Sequence, residues 1–162
     1  MHTLRLLSLL ALLCTGMLTG CQTNKDWEGI QSSRMAAVGA ESIRAEEPGD
    51  YYIGRRYYKN DYKFWGYVRR PGEPWSTAKL VMLNEGSKLA PDRELGRIGS
   101  DNGYEYKLIG DFSGDTVYEP ASNGFYPEFV LRNYELRSAA PGSIFRTAGA
   151  MDPSRRIIAR PN

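Results

Sequence analysis

The chain has 162 residues with 21 basic and 19 acidic side chains, a formal net charge of +2. Nucleic-acid-binding domains usually carry a strong basic excess, so we expect no nucleic-acid partner. The single histidine is His2, and the two cysteines are Cys14 and Cys21. Residues 22–162 therefore lack the side chains of a Ser-His-Asp triad, a Cys-His pair, a disulfide or a zinc site with His or Cys ligands. We expect no metal and no cofactor.

Residues 1–20 have the three parts of a secretory signal peptide. Arg5 supplies the positive charge, an apolar run covers residues 6–14, and small residues lead to Gly20. This run is shorter than the roughly 20 apolar residues that cross a bilayer, so a retained membrane-spanning helix is disfavoured.

The four residues Leu18-Thr19-Gly20-Cys21 resemble the lipobox of bacterial lipoproteins. The resemblance implies cleavage after Gly20, a diacylglyceryl group on Cys21 and, in many members of this class, a further acyl chain on the new N-terminus. Two or three chains make a stable membrane anchor, because each buried CH₂ contributes about 0.8 kcal/mol. Gln22 follows the cysteine, where an Asp would favour inner-membrane retention in Gram-negative bacteria. The resemblance therefore implies a location in the cell envelope, at the outer membrane of such a host.

Residues 21–50 are predicted to form the acylated start and a flexible tether. Met35, Val38 and Ile43 favour a short helix within it, although their apolar face is thin. We expect Trp27 to lie against the folded domain or at the level of the lipid headgroups.

Residues 51–142 have the composition of a small β domain, because aromatic and β-branched residues are frequent in strands. Turns rich in Gly, Pro and Asn separate the predicted strands. In chain order, these strands are 64–68 with a bend at Gly66, 78–83, 104–108, 116–118 and 128–136.

Five or six short strands with glycine-rich turns and no long helix are typical of a mainly β fold. We predict a five- to six-stranded barrel of OB-like or SH3-like form. Residues 143–162 are predicted to be a C-terminal tail, in which Ile144 and Phe145 dock on the domain and residues 155–162 are loose.

Five aromatic residues are candidates for ligand binding, because exposed rings on a β surface can stack on sugars or apolar ligands. The same rings would also supply the core of a domain without disulfides, and their usual burial favours that interpretation. The five are Tyr57, Tyr58, Trp65, Tyr67 and Trp75.

Two groups of charged residues are weaker candidates. Acidic and amide side chains suit Ca²⁺, but ordinary turn chemistry explains their positions better. Paired arginines suit an anionic surface, but a solvated face with ion pairs is the favoured interpretation. The first group is Asp92, Glu94, Asp101, Asn102, Asp111 and Asp115, and the second is Arg55, Arg56, Arg69, Arg70, Arg155 and Arg156.

The leading prediction is a lipid-anchored envelope protein whose β domain has a non-catalytic binding or structural role. Its partners would be the membrane, through Cys21, and another envelope protein or a cell-wall glycan. One alternative is a carbohydrate- or peptidoglycan-binding module. The other is a small hydrolase that uses paired carboxylates, with Glu85, Asp92, Glu105 and Asp111 as candidates.

Overall fold

The computed structural model describes the backbone of residues 23–162 and the side chains of residues 27–162. The predicted signal peptide, the cleavage position Gly20 and the lipid site Cys21 lie outside the described residues. The chain divides into two units, one ending at Ala40 and the other comprising Glu41–Asn162.

Helix α1 (Thr23–Arg44) occupies most of the predicted tether. This 22-residue helix is much longer than the short one expected, and the segment contains no proline that would interrupt it. The side chains of residues 27–42, including Trp27, are exposed. Within residues 23–162, no helix has the length and apolar content needed to cross a membrane.

The second unit is a closed barrel of five strands in the order β1-β2-β3-β5-β4. Its strands are β1 (Tyr52–Arg56), β2 (Gly66–Arg69), β3 (Lys79–Asn84), β4 (Glu105–Glu119) and β5 (Gly124–Ser138). A 3₁₀ turn (Trp75–Thr77) precedes β3, and the four-residue helix α2 (Pro91–Glu94) follows it.

The pairing of the strands makes the sheet mixed. β3 and β5 are parallel, and the other neighbouring strands are antiparallel. The mainly β barrel predicted from the sequence is thereby confirmed. The closed barrel has five strands, and β5 lies between β3 and β4. This arrangement agrees with the OB-like form of the prediction.

The strands differ most from the prediction at β1 and β4, while β5 extends the predicted strand 128–136 at both ends. The sequence analysis assigned no strand to Tyr52–Arg56, because its two arginines mask the apolar pattern, yet all five residues of β1 are buried. The predicted segments 104–108 and 116–118 fall, apart from residue 104, in one 15-residue strand, β4, whose register against β5 shifts after Glu105, after Ile109 and after Phe112. These β-bulges bend the strand and let it close the barrel.

The core consists of two clusters of buried side chains. The first includes Tyr52, Trp65, Leu108 and Phe129. The second includes Ile53, Tyr57, Phe64, Tyr67, Trp75, Ile144 and Phe145. Aromatic rings dominate both clusters, which is how a domain without disulfides obtains its buried apolar area.

The C-terminal segment completes the second cluster. Ile144 and Phe145 are buried, which confirms their predicted docking. The prediction that residues 155–162 are loose is wrong. The hydroxyl groups of Tyr57 and Tyr67 donate to the backbone carbonyls of Ile157 (2.6 Å) and Ala159 (2.5 Å). Buried phenol groups require acceptors, and the tail supplies them.

Candidate functional site

The structure places most of the five candidate aromatic rings in the interior. Tyr57, Trp65, Tyr67 and Trp75 are buried, and only Tyr58 is half-buried. The burial supports the core interpretation that the sequence analysis favoured. These residues therefore form no exposed aromatic stripe, although Tyr58 and Trp65 also line the pocket described below.

Three of the six candidate arginines are buried, whereas Arg70, Arg155 and Arg156 are exposed, as the interpretation of a solvated face expected. Arg55, Arg56 and Arg69 are each at most 5% exposed. Arg55 pairs with Glu105 at 2.6 Å, and Arg69 pairs with Glu46 at 2.6 Å. The sequence did not indicate this burial, because each guanidinium group finds its carboxylate on a segment distant in sequence.

The acidic loop residues are not gathered around one point. Asp92 and Asp101 both contact Arg56, whereas Asp111 pairs with Arg132. The side chain of Asn102 accepts from the Tyr58 N–H (2.9 Å) and donates to a backbone carbonyl. Across the described part of the chain, no group of three or more His, Cys, Asp or Glu residues is arranged to hold a metal ion.

A pocket of about 400 Å³, which we call the Arg56 pocket, opens at one end of the barrel. Its volume lies in the range of small-molecule sites. The end of β1, the loop after it, β3 and the α2 segment form its walls. The lining residues are Arg56, Tyr58, Asn60, Tyr62, Lys63, Phe64, Trp65, Met82, Leu83, Glu85, Ala90, Asp92, Arg93 and Ile98.

Arg56 organises the inner wall of this pocket. Its guanidinium group contacts Asp92 Oδ2 (2.9 Å), Asp101 Oδ1 (3.3 Å) and the backbone carbonyl of Trp65. The Gly99 N–H also donates to Asp92 Oδ2 at 2.8 Å. This arrangement holds two buried carboxylates against one guanidinium group.

The two carboxylates have different acidities. Burial is the largest single effect on Asp92 and favours its neutral form, but the charge and hydrogen bond of Arg56 and the backbone N–H groups of Gly99 and Arg93 together outweigh it and lower the pKa of Asp92 below its ordinary value. Burial raises the pKa of Asp101, although Arg56 and the Tyr106 hydroxyl (3.1 Å) oppose the shift. Arg56 therefore joins Asp92, a pocket-lining carboxylate whose ionised form is favoured, to Asp101, which does not line the pocket.

Two buried polar atoms on pocket-lining residues have no hydrogen-bond partner. They are Asp92 Oδ1, an acceptor, and Trp65 Nε1, a donor. A buried polar group left unpaired costs about 1–3 kcal/mol, so folded proteins seldom retain one. Two residues that line the Arg56 pocket thus keep an unused acceptor and an unused donor, both closed to water in the free protein.

The rim of the pocket has both paired and unpaired charge. Glu85 pairs with Arg93 at 2.5 Å, and its other oxygen accepts from the Ala90 N–H. Lys63 is exposed and makes no ion pair within residues 27–162. Tyr62 and Phe64 flank Lys63 in the sequence, and their ring centroids are 5.1 Å apart.

Comparison with known proteins gives no match, whether to a protein family, to a curated protein or to a solved structure. The pocket was not visible in the sequence, because its walls come from residues 56–65 and 82–98. These segments meet only through the pairing of β1, β2 and β3.

Proposed function

We propose that this chain is a lipid-anchored protein of the cell envelope whose barrel is a non-catalytic binding domain. The Arg56 pocket is its binding site. The observation that supports binding is a cavity of ligand size whose lining residues include Asp92 and Trp65, each with a buried polar atom, Oδ1 and Nε1, that has no partner. The signal-peptide pattern and the lipobox resemblance at Cys21 support the anchor.

The state of the pocket carboxylates favours binding over hydrolysis. Glu85 and Asp92 share the pocket, but each is held by an arginine. A general acid needs a pKa near the working pH, whereas the pKa of Asp92 is lowered. The other two candidates, Glu105 and Asp111, are likewise paired with arginines. The four carboxylates of the hydrolase alternative are thus each held in an ion pair with an arginine.

The anchor is tested by Cys21→Ser in the producing cells. We expect the variant to leave the membrane fraction, and mass spectrometry of the wild-type protein to find an acylated Cys21 peptide. A wild-type protein that has lost residues 1–20 and carries no lipid would contradict the proposal.

The binding site is tested by photo-crosslinking in cells, with the reactive amino acid at Ile98 or at Leu136. Ile98 is 63% exposed at the pocket, and Leu136 is 55% exposed on β5, outside the pocket lining. We expect a discrete adduct from position 98 that position 136 does not give. An identical pattern from both positions, or no adduct from position 98, would remove the pocket from the proposal.

A further inference from the structure

The unpaired atoms of the Arg56 pocket restrict the chemistry of its ligand. Asp92 Oδ1 needs a donor, and Trp65 Nε1 needs an acceptor. A hydroxyl group is both donor and acceptor, so a ligand with several hydroxyls satisfies both atoms. An ammonium group cannot accept from the indole N–H, and a simple anion cannot donate to the carboxylate. An apolar ligand leaves both atoms unpaired.

The aromatic lining fits the same class of ligand. Tyr58 and Tyr62 are half-buried, whereas Phe64 and Trp65 are buried. All four line the pocket. Ligand sites typically combine such apolar ring surfaces with a few placed polar groups. The C–H faces of a sugar ring match the ring surfaces, while its hydroxyl groups match Asp92 and Trp65.

The charge at the rim adds a further requirement. Two of the three cations that line the pocket, Arg56 and Arg93, are neutralised by carboxylates. Lys63 is the third, and its ammonium group has no acidic partner within the described residues. An acidic group on the ligand would supply that partner.

We propose that the Arg56 pocket binds a saccharide unit that carries an acidic substituent. The sugar ring lies against the tyrosine and phenylalanine rings, its hydroxyl groups pair with Asp92 and Trp65, and the substituent faces Lys63. This inference rests on the proposed function and assigns the ligand class of the same site. Both unpaired atoms are closed to water in the free protein, so this proposal requires the side chains of Asp92 and Trp65 to adjust when the ligand binds.

The test is an NMR titration of the full chain in detergent micelles, observed at the indole N–H of Trp65 and assigned by its loss in Trp65→Phe. Two matched pairs of probes are glucose with glucuronic acid, and N-acetylglucosamine with N-acetylmuramic acid. Within each pair, the second sugar adds a carboxylate. We expect the acidic sugars to shift the Trp65 resonance at lower concentration than the neutral ones.

Lys63→Met should weaken binding of the acidic sugars about two- to fivefold and leave the neutral sugars unchanged, as expected for an exposed ion pair. High salt should have the same effect on the wild type, because it screens exposed charges. Lys107→Met is the matched control, since Lys107 is on β4, is partly exposed and does not line the pocket.

Equal binding of acidic and neutral sugars, with no effect of Lys63→Met, would overturn the inference that the ligand carries an acidic substituent. The absence of any sugar-induced shift, with the position-98 crosslink retained, would overturn the saccharide inference and leave the binding pocket intact. Loss of both signals would overturn the proposed function as well.

Discussion

Glu46 and Arg69 form a two-pronged ion pair, with Arg69 Nη1 2.6 Å from Glu46 Oε2 and Nη2 2.8 Å from Oε1. Glu46 also accepts from the Gly72 N–H (2.9 Å) and from Arg137 Nη1 (2.9 Å). One carboxylate therefore ties the segment after α1 to β2, to the turn after β2 and to β5. Paired hydrogen bonds of this kind fix geometry more firmly than a single contact.

Glu46→Gln should lower the stability of the barrel in a pH-dependent way. Burial is the largest single effect and favours the neutral acid, but the hydrogen bonds from Arg69, Arg137 and the Gly72 N–H, together with the charge of Arg69, outweigh it and lower the pKa of Glu46 from 4.5 to about 2. An acid with a lowered folded-state pKa stabilises the fold above its unfolded pKa, and this stabilisation is lost as the pH falls toward the folded value. The expected contribution at pH 7 is on the order of 3 kcal/mol.

Urea unfolding at pH 7, 4 and 2.5 measures this effect as the difference between wild type and Glu46→Gln. The difference should be largest at pH 7 and should shrink below pH 4.5. Asp50→Asn is the control, because the Asp50 side chain is 92% exposed and lies 3.6 Å from Arg70. A pH-independent difference for Glu46→Gln would contradict the linkage.

Asp92→Asn should destabilise the protein more than Asp101→Asn at pH 7. Both residues contact Arg56, but the pKa of Asp92 is lowered and that of Asp101 is raised. Removing the charge of Asp92 therefore loses a favourable ion pair, whereas neutralising Asp101 also relieves the cost of a second buried carboxylate. Chemical denaturation of the two variants ranks them, and the reverse order would show that Asp101 is the principal partner of Arg56.

Gly66→Ala should cost about 2–3 kcal/mol, as expected for overpacking between strands. A Cβ at Gly66 would lie 2.2 Å from the backbone oxygen of Arg55, on the neighbouring strand β1. Gly142→Ala should change stability by less than about 0.5 kcal/mol, because a Cβ there meets no atom within 4 Å. Thermal or urea unfolding of both variants tests the contrast. Equal stabilities would mean that β1 and β2 are not paired in this register.

Tyr67→Phe should destabilise the fold by about 1–2 kcal/mol, because it leaves the carbonyl of Ala159 without its buried donor. The same change should loosen the C-terminal segment and make it easier to cleave with carboxypeptidase. Tyr118→Phe is the matched control, since the Tyr118 hydroxyl is exposed and bonds to Asn123. Unchanged protease resistance in Tyr67→Phe would show that the tail is held by other contacts.

Local patterns in the sequence were sufficient to predict the class of fold. The alternation of Tyr104, Tyr106 and Leu108 with charged residues predicted the first part of β4, and turn residues separated it from its neighbours. The docking of Ile144 and Phe145 was also predictable from their apolar side chains. The full length of α1 was not predictable, because its apolar face is thin and its apolar residues do not recur with helical periodicity.

The candidate site illustrates the limit of local patterns. Asp92 was a candidate through its residue type, and Tyr58 and Trp65 were candidates through their rings. No pattern in the sequence indicated that they share a pocket with Lys63 and Arg56. Arg56 is 36 positions from Asp92 along the chain, and Arg69 is 23 positions from Glu46. Such pairs depend on which strands are neighbours, and the order of strands is a property of the closed barrel.

The sequence by itself determined the mainly β character, the absence of His and Cys chemistry after Cys21 and the prediction of a lipid anchor, because these depend on composition and short motifs. Only the tertiary structure decided which arginines are buried, which aromatic rings form the core and which side chains share the Arg56 pocket. The physical reason is that burial and ion pairing depend on contacts between distant segments, and closure of the barrel brings those segments together.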